Sequence, residues 1–213
     1  MTDRPAALHA VAAQPIGSLA SRPLLLLLHG LGADERDLLP LGNELELDDA
    51  VVSLRAPLPW GPGWAWAAVR EDPTRRTGSM RPAVAAVLNW LDDAAADLGT
   101  PSEVRLLGFS QGGALALSLL RIAPRRFTGA VVLAGFVPED EEDDGELADA
   151  RPPVFWGRGD ADQVIPPDAV ARTAAWLPGH STLTERSYPG LAHGISAAQL
   201  EDVRTFLGRA RDA

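Results

Sequence analysis

Ser110 stands at an abrupt change of pattern, where a short apolar run ending at Phe109 meets an alanine-rich stretch with helical spacing. Glycines at positions 108 and 112 complete a G-x-S-x-G arrangement, which is typical of a strained strand-to-helix turn that lifts a serine hydroxyl above a sheet. The Gln111 amide and the positive end of the helix dipole would face the same space and favour an oxyanion. The pattern indicates a serine nucleophile, although a turn that serves only packing, or one that cradles a phosphate, has the same spacing.

A serine nucleophile needs a base, and the chain offers four histidines. We expect His193 to be this base, because it lies in a Gly-rich loop after the last predicted strand and directly before the last predicted helix. His29 ends another strand and precedes a glycine turn, so we expect it to order that turn rather than to accept a proton. His9, near the terminus, and His180, beside a Pro-Gly pair, are expected at the surface.

Two aspartates, Asp160 and Asp162, compete for the role of orienting the histidine. Both follow the apolar strand pattern at 153–156. Asp160 lies within the turn and could cap it through its carboxylate. Asp162 directly precedes the segment in which a helix begins, and we prefer it as the acid.

A second oxyanion donor is expected after the strand at 24–28, in the sequence His29-Gly30-Leu31-Gly32-Ala33. Two glycines allow the backbone to turn its amides inward. The Leu31 N–H would then lie beside the Gln111 N–H and hold the same oxygen.

Strand and helix patterns alternate along the chain, which predicts parallel βαβ units and an α/β fold with helices on both faces of a mostly parallel sheet. Predicted strands cover residues 24–28, 51–55, 104–107, 130–133, 153–156 and 181–188. Predicted helices cover residues 34–45 with Asp34 as cap, 82–98, the stretch after Ser110, 167–176 and 196–209. The first 21 residues predict an edge hairpin. In such a sheet ligands bind beyond the carboxyl ends of the strands, where the loops that carry the candidate residues meet.

The segment 56–78 is rich in Pro, Gly and Trp and predicts a long functional loop. Trp60, Trp64, Trp66 and Met80 are candidates for an acyl-binding wall, because they offer large apolar surfaces. Packing the loop onto the core is the alternative role for each of them. The apolar character of the loop is also compatible with self-association as a homodimer.

Six consecutive acids at 139–144 favour a solvated loop over a metal site, because like charges repel and prefer water.

Composition excludes several classes of function. The formal net charge of −10 gives no electrostatic basis for binding nucleic acid or an anionic membrane surface. All 19 basic residues are arginine, which excludes lysine nucleophiles and a phosphate-loop lysine, and the lack of cysteine excludes thiolate chemistry and disulfides. No apolar run approaches the roughly 20 residues of a membrane span. We expect a single cytoplasmic domain over residues 1–213, with no metal or cofactor.

The order Ser110, Asp162, His193 is the order of triads in α/β-hydrolases. Together with its local motifs, the chain from about residue 24 onward resembles the carboxylesterase/phospholipase family of α/β-hydrolases that includes the acyl-protein thioesterases. The carrying motifs are Leu28-His29-Gly30-Leu31-Gly32-Ala33-Asp34-Glu35, Arg55-Ala56-Pro57, Gly61-Pro62-Gly63-Trp64-Ala65-Trp66, Gly108-Phe109-Ser110-Gln111-Gly112-Gly113, Asp160-Ala161-Asp162-Gln163-Val164-Ile165-Pro166 and Ala192-His193-Gly194. Two features depart from the family pattern: Arg158-Gly159 stands where His-Gly is common, and Trp66 is followed by Ala67-Ala68.

The resemblance implies a serine carboxylesterase with Ser110, Asp162 and His193 as triad and the Leu31 and Gln111 amides as oxyanion hole. Its substrate would be a small-molecule ester, a thioester or a lysophospholipid. An acyltransferase or a peptidase would share the same machinery. The alternative of another class is a non-catalytic binding protein that keeps the fold and uses the pocket to hold a ligand or partner.

Overall fold

A seven-stranded sheet forms the centre of the computed structural model, which describes residues 8–69, 78–139 and 144–209. The strands of this sheet are β1 Ala10–Ala12, β2 Pro23–Leu28, β3 Ala50–Leu54, β6 Glu103–Phe109, β7 Gly129–Leu133, β8 Pro153–Gly159 and β9 Thr182–Tyr188. Their order is β1-β3-β2-β6-β7-β8-β9, and every neighbouring pair is parallel except β1 with β3. A separate antiparallel pair consists of β4 Leu58–Trp60 and β5 Gly63–Ala65. The predicted mostly parallel central sheet is confirmed.

Helices cover both faces of this sheet, as the alternating pattern predicts. They are α1 Leu39–Glu44, α2 Arg81–Leu98, α3 Gln111–Ile122, α4 Gly145–Ala150, α5 Pro167–His180 and α6 Ala197–Arg209, with a short 3₁₀ turn at Pro124–Arg126. Side chains from α2, α3, α4 and α5 contribute to one hydrophobic cluster, and side chains from α6 and the α1 region contribute to the other.

Strand β2 shows why its run of leucines is continuous rather than alternating. Leu24, Leu26 and Leu28 pack into the cluster that contains α2 and α3. Leu25 and Leu27 pack into the opposite cluster with α6. A strand buried on both faces requires apolar side chains at every position, which the sequence supplies.

The structure differs from the local predictions at three places. The helix predicted from Asp34 begins at Leu39, and the Asp34 carboxylate instead accepts the Arg36 N–H at 2.8 Å in a turn. Between residue 8 and residue 21 of the predicted edge hairpin, the structure describes one strand, β1, which pairs with β3. Residues 1–7 of that prediction lie outside the described ranges. The short helix α4 was not predicted. Asp competes with helix geometry by bonding nearby backbone, which explains the first error.

The acidic run is described only at its ends. Glu139 lies 3.2 Å from Arg172, and Asp144 lies 2.7 Å from Arg121. Residues 140–143 fall outside the described ranges, so the predicted solvated loop stays a prediction. Among the helices that the structure describes, none is both long and apolar enough to cross a membrane.

Gly112, in the first turn of α3, lies against the end of β2, and a Cβ at this position would overlap the Leu28 carbonyl oxygen. We expect Gly112→Ala to lower the free energy of unfolding by about 3 kcal/mol. The added methyl group would force α3 away from β2, and that movement would disrupt the sheet or the turn at Ser110. Urea denaturation of the purified variant measures this change.

Gly208, in α6, is the matched control, since a Cβ there would meet no atom within 4 Å. Gly208→Ala should leave stability unchanged or raise it by up to about 1 kcal/mol through reduced backbone entropy. Equal stability of the two variants would contradict the close approach of α3 and β2.

Candidate active site

Ser110 occupies the sharp turn between β6 and α3, with φ 54° and ψ −115°. A non-glycine residue in this left-handed region carries backbone strain, and such strain concentrates at functional sites. The turn is held by the Ser110 N–H, which donates to the Leu133 carbonyl at 2.8 Å. Gly108 and Gly112 permit it, because a Cβ on Gly108 would overlap the Gly112 carbonyl. The hydroxyl therefore has a fixed position at the carboxyl end of the sheet.

The imidazole of His193 lies between Ser110 and Asp162. Its Nε2 is 2.9 Å from the Ser110 Oγ, and its Nδ1 is 2.7 Å from the Asp162 Oδ2. The ionised carboxylate can only accept, so Nδ1 carries the proton and Nε2 is left to accept the hydroxyl proton. Phe109 packs against the ring with 4.9 Å between centroids, a contact that sequence reasoning missed. Ser110 and Asp162, which are 83 and 31 positions from His193 in the sequence, thus meet it in one chain of hydrogen bonds.

Asp162 has a second set of partners that fix its carboxylate. Its Oδ1 accepts the N–H groups of Val164 at 2.8 Å and Ile165 at 3.2 Å. Burial acts to raise the pKa of Asp162, but the hydrogen bonds from His193 and these two amides outweigh it, and the pKa is lowered. The group is therefore negative at neutral pH and accepts a hydrogen bond from His193 Nδ1.

Asp160 has a different partner. Its Oδ1 accepts the Gly190 N–H at 2.7 Å, which ties the turn after β8 to the loop that carries His193. The geometry therefore pairs the histidine with Asp162 and gives Asp160 a role in shaping the loop.

The backbone N–H groups of Leu31 and Gln111 have no hydrogen-bond acceptor among the residues that the structure describes. Gln111 is the first residue of α3, where an N–H has no partner within the helix. The loop around Leu31 is bonded to β5, since the Gly32 N–H donates to the Trp64 carbonyl at 2.9 Å. These two N–H groups are the ones that the sequence predicts as oxyanion donors.

His29 is fully buried and is bonded through both ring nitrogens. The Ala56 N–H donates to Nε2 at 3.1 Å, so the proton resides on Nδ1, which donates to the Gly30 carbonyl at 2.7 Å. Burial lowers its pKa, against the raising effect of the Gly30 bond and nearby carboxylates. His29 is thus a neutral support for the Gly30–Leu31 peptide, as the sequence predicts for this loop.

The other two histidines lie elsewhere. His9 is exposed and lies 3.6 Å from Glu35, while the His180 Nδ1 lies 2.7 Å from the Trp176 carbonyl oxygen.

An ion pair that sequence reasoning missed joins a buried carboxylate, which follows the oxyanion loop in the chain, to a partly exposed arginine directly after β3. Glu35 is fully buried and accepts two hydrogen bonds from the Arg55 guanidinium, at 2.6 and 2.7 Å. The Arg55 bond lowers the pKa of Glu35 to about 2 despite burial. Arg55 also lies 5.0 Å from the centre of the Trp64 ring. The only sequence signal was an acid near the glycine turn and an arginine at the end of a strand.

The four candidates for the acyl wall differ in their positions. Trp66 and Met80 lie in the hydrophobic core with 1% of their surface exposed, which is the packing role that the sequence left open for them. Trp60 is 43% exposed, and its ring lies 3.8 Å from the position that a Cβ on Gly32 would take. Trp64 is half-buried against Arg55. Leu31, which the sequence predicted only as a backbone donor, and Val164 also have exposed apolar side chains.

A cavity of about 210 Å³ is lined in part by Asp162 and lies between the loops after β7 and β8 and the start of α5. Its walls include Ala134, Arg158, Ile165 and Val170. Within the described ranges, no group of three or more His, Asp and Glu side chains is arranged to hold a metal ion.

Comparison with known proteins gives a consistent result. A family model described as Phospholipase/Carboxylesterase matches residues 16–210. Acyl-protein thioesterase 1 of Kluyveromyces lactis is 26% identical over 211 residues, which cover 89% of this chain and 92% of that protein. A crystal structure of a carboxylesterase from Mesorhizobium loti has a TM-score of 0.80 and 27% identity, over 98% of this chain and 97% of the other. Esterase PE8 has a TM-score of 0.79 and 26% identity, over 96% and 99%.

Proposed function

We propose that this chain, which belongs to the phospholipase/carboxylesterase family, hydrolyses carboxylic esters and thioesters through an acyl-enzyme on Ser110. The observation that carries the proposal is the position of His193, with Nε2 at 2.9 Å from the Ser110 hydroxyl and Nδ1 at 2.7 Å from the Asp162 carboxylate. A nucleophile, a base and a group that orients the base stand in hydrogen-bond contact, which is the arrangement that activates a serine.

In the first half of the proposed reaction, the Ser110 Oγ attacks the substrate carbonyl while His193 Nε2 takes the hydroxyl proton. The negative charge moves to the carbonyl oxygen, which the Leu31 and Gln111 N–H groups would hold. When the bond to the leaving group breaks, His193 returns the proton to the departing alcohol or thiol. Asp162 stabilises the imidazolium throughout, and its lowered pKa keeps it ionised for this role.

In the second half, water attacks the ester carbonyl on Ser110 and His193 again takes a proton. The Ser110 Oγ then leaves and recovers its proton from the imidazolium, which releases a carboxylic acid. Every proton transfer uses His193, and the route requires only side chains and backbone amides of this chain.

The proposed substrate is a small molecule with an apolar acyl group, and Trp60 and Trp64 are the proposed wall for that group. Trp60 is exposed beside the oxyanion loop, and Leu31 extends the apolar surface. The names of the relatives, thioesterase and carboxylesterase, support a carbonyl bonded to sulfur or oxygen. The cytoplasmic location, the homodimer and the lysophospholipid substrate stay predictions of the sequence.

Hydrolysis of p-nitrophenyl esters of graded chain length, measured beside an acyl thioester, tests the proposal. We expect turnover of the esters, and a rise in kcat/KM with chain length that Trp60→Ala reduces, because each buried methylene contributes about 0.8 kcal/mol. Trp90→Ala, in the middle of α2, is the control on a tryptophan outside the proposed acyl wall. Failure of the wild-type protein to hydrolyse any ester or thioester would contradict the function and favour a non-catalytic binding protein.

A further inference from the structure

Gln111 uses its side chain as well as its backbone at the candidate site. The side chain is buried, its Oε1 accepts the Trp66 N–H at 2.7 Å, and its Nε2 donates to the Ala67 carbonyl at 3.0 Å. A backbone N–H can only donate and a carbonyl can only accept, so the orientation of the amide follows from its partners. The residue that offers one oxyanion donor is therefore bonded to the segment that follows β5.

Trp66 extends the same connection to the other donor loop. Its indole N–H donates to the His29 carbonyl at 2.9 Å, and its ring lies 5.2 Å from the His29 imidazole. That carbonyl belongs to the His29–Gly30 peptide, and the next peptide along the chain contains the Leu31 N–H. Trp66 thus contacts Gln111 through its backbone and the Leu31 loop through its side chain.

The segment also holds the loop on the other side of Leu31. The Gly32 N–H donates to the Trp64 carbonyl at 2.9 Å, and the Trp64 N–H donates to the Ala33 carbonyl at 2.9 Å. Backbone groups before and after Leu31 are therefore fixed by residues 64–66, while the Leu31 N–H has no acceptor within the described part of the chain.

We propose that Trp66 and the side-chain amide of Gln111 form a positioning clamp that sets the separation of the Leu31 and Gln111 N–H groups. The inference rests on the proposed function, because the separation matters only if the two groups hold one oxyanion. Apolar side chains of similar size would fill the same volume. The polar groups specify the relative position of two loops, since each buried donor and acceptor is satisfied only in this arrangement.

Gln111→Met tests the clamp, because it removes both side-chain bonds but keeps the volume and the backbone N–H. We expect kcat for p-nitrophenyl butyrate to fall about 10- to 100-fold with little change in KM, since a small misplacement of a donor weakens binding of the transition state but not of the substrate. The affinity for butylboronic acid, which forms a tetrahedral anion on serine, should fall by a similar factor.

Trp66→Phe tests the bond to the Leu31 loop, because it removes the indole N–H and part of the ring. Like Gln111→Met, it should lower both kcat and the affinity for the boronate. The double variant should lose much less than the product of the two single losses, because residues that share one network are not additive. Each variant is assayed well below its own melting temperature, so that a loss of folded protein does not enter the rates.

Trp156→Phe is the matched control. Trp156 is also fully buried and donates its indole N–H to a backbone carbonyl, that of Gly135, at 3.0 Å. Trp156→Phe should lose about as much stability as Trp66→Phe, while its boronate affinity stays within about threefold of the wild type. A fall in melting temperature alone for the Gln111 and Trp66 variants, with boronate affinity unchanged, would overturn the clamp and leave the proposed function intact. Wild-type protein that neither hydrolyses the ester nor binds the boronate would overturn both.

Discussion

Ser110→Ala is expected to lower kcat for ester hydrolysis by about 10⁵- to 10⁶-fold, because the variant has no atom that can form the acyl-enzyme. Residual activity should remain above the uncatalysed rate, by about 10³- to 10⁴-fold, through binding and the oxyanion donors. The loss should appear in kcat and in kcat/KM alike. Initial rates on a p-nitrophenyl ester measure this loss, at enzyme concentrations high enough to detect the residual activity.

Ser118→Ala provides the control within the same helix. Ser118 is buried in α3 and its hydroxyl donates to the Ala114 carbonyl at 3.0 Å, so its removal also deletes a buried hydroxyl. Activity of that variant should stay within about twofold of the wild type, because the bond that it loses is local to the helix. A Ser110→Ala variant that kept more than a tenth of wild-type turnover would exclude Ser110 as nucleophile.

Asp162→Asn is expected to lower kcat by about 10⁴-fold without unfolding the protein. The amide can still accept the Val164 and Ile165 N–H groups, so the turn should be preserved. Its NH₂ group would donate to His193 Nδ1 and place the imidazole proton on Nε2. That nitrogen could then no longer take the Ser110 proton. Rates on the same ester, with melting temperature as the check on folding, measure the effect.

Asp160→Asn separates the role of the acid from that of its neighbour. An asparagine at this position can still accept the Gly190 N–H, so the loop geometry should survive. We expect a loss below about tenfold, since the Asp160 carboxylate bonds the Gly190 N–H and the imidazole bonds Asp162. An equal loss in the two variants, or a greater loss for Asp160→Asn, would contradict the assignment of Asp162.

The sequence predicted the parts of the fold that depend on regular patterns. The run Leu24–Leu28 predicts a strand buried on both faces because no polar side chain interrupts it, and the structure confirms this. Loops at the carboxyl ends of parallel strands converge, so Ser110, Asp162 and His193 could be grouped before any coordinates were known. The distances among them required the structure.

Irregular segments were less predictable, because no periodicity indicates which way a side chain in a loop points. Trp60 and Trp66 lie six residues apart in one Trp-rich segment, yet one is exposed and the other is in the core. Gln111 was predicted for its backbone only, since a side-chain bond across 45 positions leaves no local signal. The helix expected at Asp34 failed for a similar reason: a local carboxylate bond to Arg36 replaced the first turn.

The account depends on one reactive hydroxyl, and a covalent probe tests it most directly. After incubation with a fluorophosphonate, peptide mass spectrometry should find the adduct on the peptide that contains Ser110, and Ser110→Ala should remain unlabelled. His193→Ala should label far more slowly, because the hydroxyl would lack its base. Labelling of the Ser110→Ala protein at the wild-type rate, or a wild-type protein that the probe does not modify, would contradict a serine hydrolase centred on this residue.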